Sequence, residues 1–309
     1  MKNLVTVVAA ALLSCSLLSC SKELETTPLP VEETAVSLED SSNLKSNAQI
    51  KNLEALHINV VQNIGGYLLY KPEGYSNTNE NYPLLVSLAG IECLGNGTSD
   101  LYEIARNSVP GLIQKGTFPK SFTTQSGTFS FLVVAPQFKK NPAASDVNAM
   151  INYAVKNYRI DTSRIYVMGL SLGGGATAAF AAAYPTKAAA VVTMAEAGGS
   201  KNVANAKNIA SDGSLPIWAF HNQYDPVVSS SNTVNLINTI QSIAPAATTK
   251  MTIFKGVAEH DCWAKATNPN YREDNMNIYE WMLQYTRTPV VERGREVNVG
   301  ITDVKVRPR

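Results

Sequence analysis

From residue 58 onward, short apolar runs alternate with amphipathic stretches at a steady pace. Residues 67–70 alternate about aromatic positions and stop at Pro72, which reads as a strand. Residues 83–88, 129–135, 164–169, 188–194, 216–220 and 250–254 are nearly continuous in apolar side chains and too short for helices. They predict strands buried on both faces. Leu101, Ile104, Ala105, Val109 and Leu112 recur at helical spacing and predict a helix over 100–114. Further helices are expected over 145–158, 172–184, near 230–243 and over 272–286. This alternation implies an α/β fold: a mostly parallel central sheet with helices on both faces. Residues 51–286 read as one domain without internal repeats.

The two ends of the chain break the pattern. Residues 1–20 place one cation, Lys2, before an apolar run that ends in small residues and cysteine. The run is too short and wrongly flanked to persist as a spanning helix, so it predicts an export signal. Its end, Leu17-Leu18-Ser19-Cys20, resembles the lipobox of bacterial lipoproteins; Leu12-Leu13-Ser14-Cys15 resembles it less well. The resemblance implies that Cys20 becomes the lipid-modified first residue, tethering the chain to a membrane of the cell envelope, the outer membrane or cell surface. An ordinary cleaved secretory signal is the alternative. Residues 21–50 are rich in Thr, Ser, Pro and Glu and carry six acids against Lys22 and Lys45, the composition of a flexible acidic linker. Residues 287–309 form a basic tail with six Lys or Arg against three acids. Residues 296–301 alternate as a strand would; the stub of a longer partner domain is the other reading.

Composition adds exclusions. The formal net charge of +1 lacks the basic excess expected for nucleic-acid binding. That total conceals an acidic linker of −4 against a basic tail of +3, so it says little about other partners. Four cysteines are too few for a disulfide scaffold, and three histidines leave little room for a His-rich metal site. No metal or cofactor is called for.

The chemistry gathers at three predicted strand ends. Gly169-Leu170-Ser171-Leu172-Gly173 is G-x-S-x-G placed directly after a strand and before a helix, with Gly174 and Gly175 following. In that context the glycines let the chain reverse sharply, leaving the Ser171 hydroxyl exposed beside helix N–H groups. A plain Gly-Ser turn is the blander reading. A serine hydroxyl is a weak nucleophile and needs a base. His57 precedes the sheet and reads as structural, and His221 ends a strand and reads as packing or orienting its loop. His260 follows the last predicted sheet strand, where a base belongs in this architecture. Asp225, after the 216–220 strand, is the candidate to hold the other N–H of His260. Asp261 and Glu259 are rivals by proximity alone, since sequence neighbours rarely face the ring nitrogen they would hold.

These residues carry a resemblance. The order Ser171, Asp225, His260 is that of the α/β-hydrolases. The core from about 65 to 286 resembles their secreted esterase branch: the polyhydroxybutyrate-depolymerase-like, feruloyl-esterase-like and predicted-peptidase groups. The residues concerned are Gly169-Leu170-Ser171-Leu172-Gly173-Gly174, Phe220-His221 with Asp225-Pro226-Val227-Val228, and His260-Asp261-Cys262-Trp263 with Tyr279-Glu280-Trp281-Met282. Those groups typically read H-G-x-G-E-x-G-N after the first central strand; here it is Ala89-Gly90-Ile91-Glu92-Cys93-Leu94-Gly95-Asn96. Gly90, Gly95 and Asn96 keep the frame, while Ala89 and Cys93 replace the usual His and Glu.

The resemblance implies an oxyanion hole formed by the backbone N–H groups of Leu172 and Ile91, which the side-chain changes leave available. The loops of Cys93 and Cys262 converge on the nucleophile in this fold, so a disulfide stapling them would replace the missing brace; two buried thiols are the alternative. The short connection 195–215 implies an open site, with Trp263, Tyr224 and Glu92 as wall residues. The function expected is a serine hydrolase cleaving carboxylic esters through an acyl-enzyme, on bulky or polymer-linked extracellular substrates such as esterified polysaccharides. A serine peptidase on the same fold and a non-catalytic surface binding protein are the alternatives.

Overall fold

The computed structural model describes residues 51–292 and 295–302; the expected signal, Cys20 and the linker 21–50 lie outside them. Eight strands form one sheet: β1 (Glu54–Leu56), β2 (Ile64–Tyr70), β3 (Tyr82–Leu88), β6 (Leu132–Phe138), β7 (Ile160–Leu170), β8 (Ala190–Met194), β9 (Ile217–Asn222) and β10 (Thr249–Phe254). A hairpin of β4 (Phe122–Thr124) and β5 (Gly127–Phe129) and a second of β11 (Thr286–Glu292) and β12 (Arg295–Thr302) stand apart from it. The sheet order is β1-β2-β6-β3-β7-β8-β9-β10. From β6 to β10 all neighbours are parallel, while β2 joins β6, and β1 joins β2, antiparallel.

The helices are α1 (Ser108–Gln114), α2 (Ala144–Asn157), α3 (Leu172–Ala183), α4 (Asn202–Asp212), α5 (Ser231–Ile243), α6 (Trp263–Ala266) and α7 (Ile278–Met282). Because strand side chains alternate in direction, each apolar strand feeds two cores. Leu84, Val86, Val134, Val167, Val191 and Ile217 pack with Met150, Phe180, Ile209 and Ile237 of α2 to α5. Leu85, Val133, Tyr166, Met168, Val192 and Trp218 face the other way, onto Val109 of α1 and Tyr279 and Trp281 of α7. Helices therefore cover both faces, as the continuous apolar runs require.

Three expected elements change. The helix expected over 100–114 divides into a 3-10 segment, Leu101–Arg106, and α1. Pro110 has no N–H to return to Arg106, and Ser108 adopts φ +55° at the break. The helix expected over 272–286 shrinks to α7. Asp274 and Asn275 both have positive φ, and Asn277 caps the helix that follows by accepting from the Tyr279 and Glu280 N–H groups. The strand expected over 129–135 is two: Phe129 ends the β4–β5 hairpin and β6 begins at Leu132.

The chain also packs beyond 286, where a tail was expected to begin. Arg287 is 1% exposed and its guanidinium donates to the carbonyls of Ala188 and Pro185. Residues 296–301 lie within β12, paired antiparallel with β11. Among the described residues no helix is long and apolar enough to cross a membrane.

Candidate active site

Three loops at the carboxyl ends of parallel strands bring Ser171, Asp225 and His260 together. Ser171 sits between β7 and α3 at φ +52° and ψ −118°, a strained conformation for a residue with a side chain. The turn survives because it is tied on both sides. The Ser171 N–H donates to the Met194 carbonyl (2.8 Å), and the Ser171 carbonyl accepts from Gly175 (3.0 Å) and Ala197 (3.1 Å). The surrounding glycines are needed for space: a Cβ on Gly169 would lie 2.2 Å from the Gly173 carbonyl oxygen, and one on Gly173 would lie 2.4 Å from that of Leu88.

The Ser171 hydroxyl donates to His260 Nε2 (2.9 Å), and His260 Nδ1–H donates to Asp225 Oδ2 (2.7 Å). Those two bonds select the tautomer, with the proton on Nδ1 and a lone pair facing the serine. Asp225 Oδ1 accepts the N–H groups of Val227 (2.8 Å) and Val228 (2.9 Å). Burial raises the carboxyl's pKa, but the bonds from His260, Val228 and Val227 outweigh it and hold Asp225 below its ordinary value. The Asp225 side chain is fully buried and that of His260 one-fifth exposed, so the pair of side chains opens to solvent only at the imidazole.

Secondary contacts join the acid loop to the base loop. Asn222, the last residue of β9, donates its amide to the Glu259 carbonyl (2.8 Å), and the Tyr224 N–H donates to Val257 (2.9 Å). Glu259 thus acts through its backbone, and the Asp261 carboxylate accepts from the Ala264 N–H at the start of α6 (2.7 Å). Neither rival carboxylate meets the His260 ring. His57 Nδ1 lies 3.0 Å from the Gly97 carbonyl, and His221 is fully buried behind Asp225.

Ile91 and Leu172, the expected oxyanion donors, each open a helical turn, so neither N–H has an intrahelical acceptor. The brace for the Ile91 loop comes from an unexpected residue. Gln137 of β6 is fully buried; it donates to the Cys93 (3.2 Å) and Asp100 (3.0 Å) carbonyls and accepts from the Gly97 N–H (2.8 Å). Of the two readings of Cys93 and Cys262, the structure has the pair of buried thiols and not the disulfide. Cys93 Sγ contacts the Glu103 carbonyl within a satellite core, while Cys262 Sγ contacts the Phe220 carbonyl in the core above α7. Burial raises both thiols, Cys93 to about 12, so each stays a protonated, inert packing group.

Among the expected wall residues, Tyr224 is exposed and Glu92 also reaches solvent, its carboxylate folded over Gly90. Trp263 is corrected: it is 8% exposed and packs edge-on against His260 with ring centroids 5.1 Å apart, a support for the base rather than an open wall. Connection 195–215 holds only a 3-10 turn and α4. Among the described residues no group of three His, Cys, Asp or Glu is placed to hold a metal.

The 195–215 connection also hides a carboxyl absent from the sequence reading. Glu196 is fully buried, accepting from the Gly198 N–H (3.1 Å) and the Asn202 amide. Burial pushes it up to about 7, against the downward pull of those two bonds. Below pH 4.5 the carboxyl is protonated folded or unfolded; between about 4.5 and 7 only the unfolded chain ionises, so stability falls as pH rises through that window. Measured by urea denaturation, the unfolding free energy of the wild type is expected to fall between pH 4.5 and 7, relative to Glu196→Gln, by up to about 3 kcal/mol. An identical pH dependence in both proteins would refute the assignment.

Residues 115–267 match a family described as phospholipase/carboxylesterase, a span that includes Ser171, Asp225 and His260. The fold is similar to that of a thermostable esterase, with TM-score 0.55 and 22% identity over 78% of this chain. The chain spans 64% of that esterase's length. It is also similar to fluorophosphonate-binding serine hydrolase F of Staphylococcus aureus (TM-score 0.53, 12% identity, 75% of this chain and 97% of that one). A ferulic acid esterase matches at TM-score 0.50 and 13% identity, over 71% of this chain and 95% of that one. At these identities the likeness is one of fold. No curated protein matches the sequence.

Proposed function

We propose, from the premise that the chain belongs to the esterase-type α/β-hydrolases, that it cleaves carboxylic esters through an acyl-enzyme on Ser171. The observation that carries this reading is the unbroken hydrogen-bonded chain from Ser171 through His260 to Asp225 at the strand ends. His260 Nε2 takes the hydroxyl proton as Oγ attacks the ester carbonyl, and the imidazolium formed is stabilised by Asp225. The developing oxyanion falls to the N–H groups of Leu172 and Ile91. His260 then returns the proton to the departing alkoxide, and water repeats the sequence to release the acid.

The short connection after β8 and the exposed side chains of Tyr224, Val227 and Ile91 support an open mouth that admits bulky esters. Esters borne on extracellular polymers, such as esterified polysaccharides, suit such a mouth if Cys20 anchors an exported chain through its acidic linker. The test is a panel of acetyl, butyryl and feruloyl esters set against aminoacyl amides. Esters are expected to turn over at least about 10²-fold faster per kcat/KM, since alkoxide leaves without the full protonation an amine needs. Amides hydrolysed as fast as esters would favour a peptidase. Turnover of neither, with no fluorophosphonate label on folded protein, would leave a binding role.

A further inference from the structure

The Asp225 carboxylate is approached by two imidazoles. His260 Nδ1 lies 2.7 Å from Oδ2; on the far side, His221 Nε2 lies 3.3 Å from the same oxygen. His221 is the fifth residue of β9, where a parallel strand runs through both cores, and none of its surface reaches solvent. Its Nε2 is also 2.9 Å from the Val228 carbonyl, which can only accept, so the ring proton must sit on Nε2. Nδ1 is then an acceptor and meets the hydroxyl of Thr233 at 2.8 Å, itself fully buried in the first turn of α5. Burial pushes the His221 pKa down, against the upward pull of the Val228 carbonyl and Asp225, so the ring is neutral. The charged or titratable groups acting on it are Asp225 and His260.

We infer that His221 is a positioning residue of the active site. Oriented by Thr233, it donates Nε2–H to the Val228 carbonyl and so clamps the Asp225–Val228 turn, and the same polar ring edge lies 3.3 Å from Asp225 Oδ2, so that the carboxylate keeps the rotamer that aims His260 at Ser171. The unit thus runs from Ser171, just after β7, through His260 and Asp225, and by the Val228 carbonyl to His221 and Thr233 on α5. It rests on the esterase reading only for its catalytic consequence; the placement stands without it. The physical content is twofold. A carboxylate with one oxygen held by two backbone N–H groups and the other facing two imidazoles has no free rotamer. It is also a weaker attractor of a proton on His260 than one bonded to His260 alone, because each added donor disperses its charge.

The experiment follows His260 directly. The chain has three histidines, so ¹⁵N-histidine labelling gives three imidazoles to assign and titrate. In the wild type His221 is expected to keep the Nε2–H tautomer across the titration. In His221→Leu, which removes the N–H, the His260 pKa is expected to rise by about half a pH unit or more. His221→Gln, whose amide reaches the Nε2 position, is expected to restore it. If esters are cleaved, kcat in His221→Leu should fall about 10- to 100-fold with KM little changed. The acid limb of kcat/KM should move upward with the His260 titration.

Unchanged titration of His260 in folded His221→Leu overturns the inference, as does equal loss in the Leu and Gln variants with a wild-type acid limb, which marks a merely structural role. If His221→Leu does not fold, Thr233→Val removes the donor to Nδ1 while keeping the ring. It should move the His260 titration in the same direction by less, and no movement refutes the relay. Failure of the esterase reading appears separately, as absence of turnover in the wild type with the titrations still measurable.

Discussion

Ser171→Ala is expected to lower kcat on a short-chain ester by about 10⁴- to 10⁶-fold and to abolish labelling by a fluorophosphonate. The size follows from what is lost. Without Oγ no acyl-enzyme forms, and His260 can only activate water from a ring placed for the serine. What survives is oxyanion stabilisation by the Leu172 and Ile91 N–H groups and simple binding, neither of which uses the removed atom. The fold should survive as well. The strained φ of Ser171 is held by its own backbone bonds to Met194, Gly175 and Ala197, and alanine keeps all three. The check is steady-state kinetics beside a thermal melt: an inactive variant with a wild-type Tm supports the role, and activity above about a tenth of wild type would remove Ser171 from the chemistry.

Asp225→Asn is expected to cost about 10⁴-fold in kcat with little change in KM. The backbone N–H groups of Val227 and Val228 both address Oδ1, so the introduced amide must keep its oxygen there and turn its NH₂ toward His260. Donor would then meet donor at Nδ1. His260 escapes by moving its proton to Nε2, where it points at the Ser171 hydroxyl and can no longer accept from it. His221 Nε2–H, also beside that amide, gives the NH₂ no acceptor on its other side. The same reasoning makes the effect tautomeric rather than steric. ¹⁵N shifts of His260 should therefore exchange the protonated nitrogen between wild type and variant. A variant with unchanged His260 shifts and near-normal kcat would show that the carboxylate is not the orienting group.

The residues of this site divide by how local their causes are. Ser171 could be read from five consecutive residues because the strained turn, its glycines and the helix that follows are a single piece of chain. Asp225 and His260 could be read from their places after successive strands, since parallel strands deliver such loops to the same edge of the sheet. Gln137 could not. It appears as one polar residue near the end of an apolar strand, and its partners Cys93, Gly97 and Asp100 lie 37 to 44 residues away, brought near by packing of β6 beside β3. Asn222 and Thr233 were hidden in the same way, each ordinary until its partner is placed.

Glu196 and the two cysteines show the reverse difficulty. In sequence Glu196 resembles any loop carboxylate, and only its full burial against α3 raises its pKa. Cys93 and Cys262 lie in loops flanking the site, which made a bond plausible, yet each side chain turns into a different core. The helices expected over 100–114 and 272–286 failed for a related reason. Apolar periodicity records which face is buried, whereas Pro110 and the left-handed Asp274 and Asn275 decide where the backbone can stay helical.

Read as sequence, this protein is an α/β chain with a nucleophile turn, an acid and a base in a determined order, because those features depend on strand period and turn chemistry within a few residues. Its bracing, its protonation states and the fate of its cysteines belong to the assembled sheet. They are set by burial and by hydrogen bonds between segments far apart in the chain, and neither exists until those segments pack.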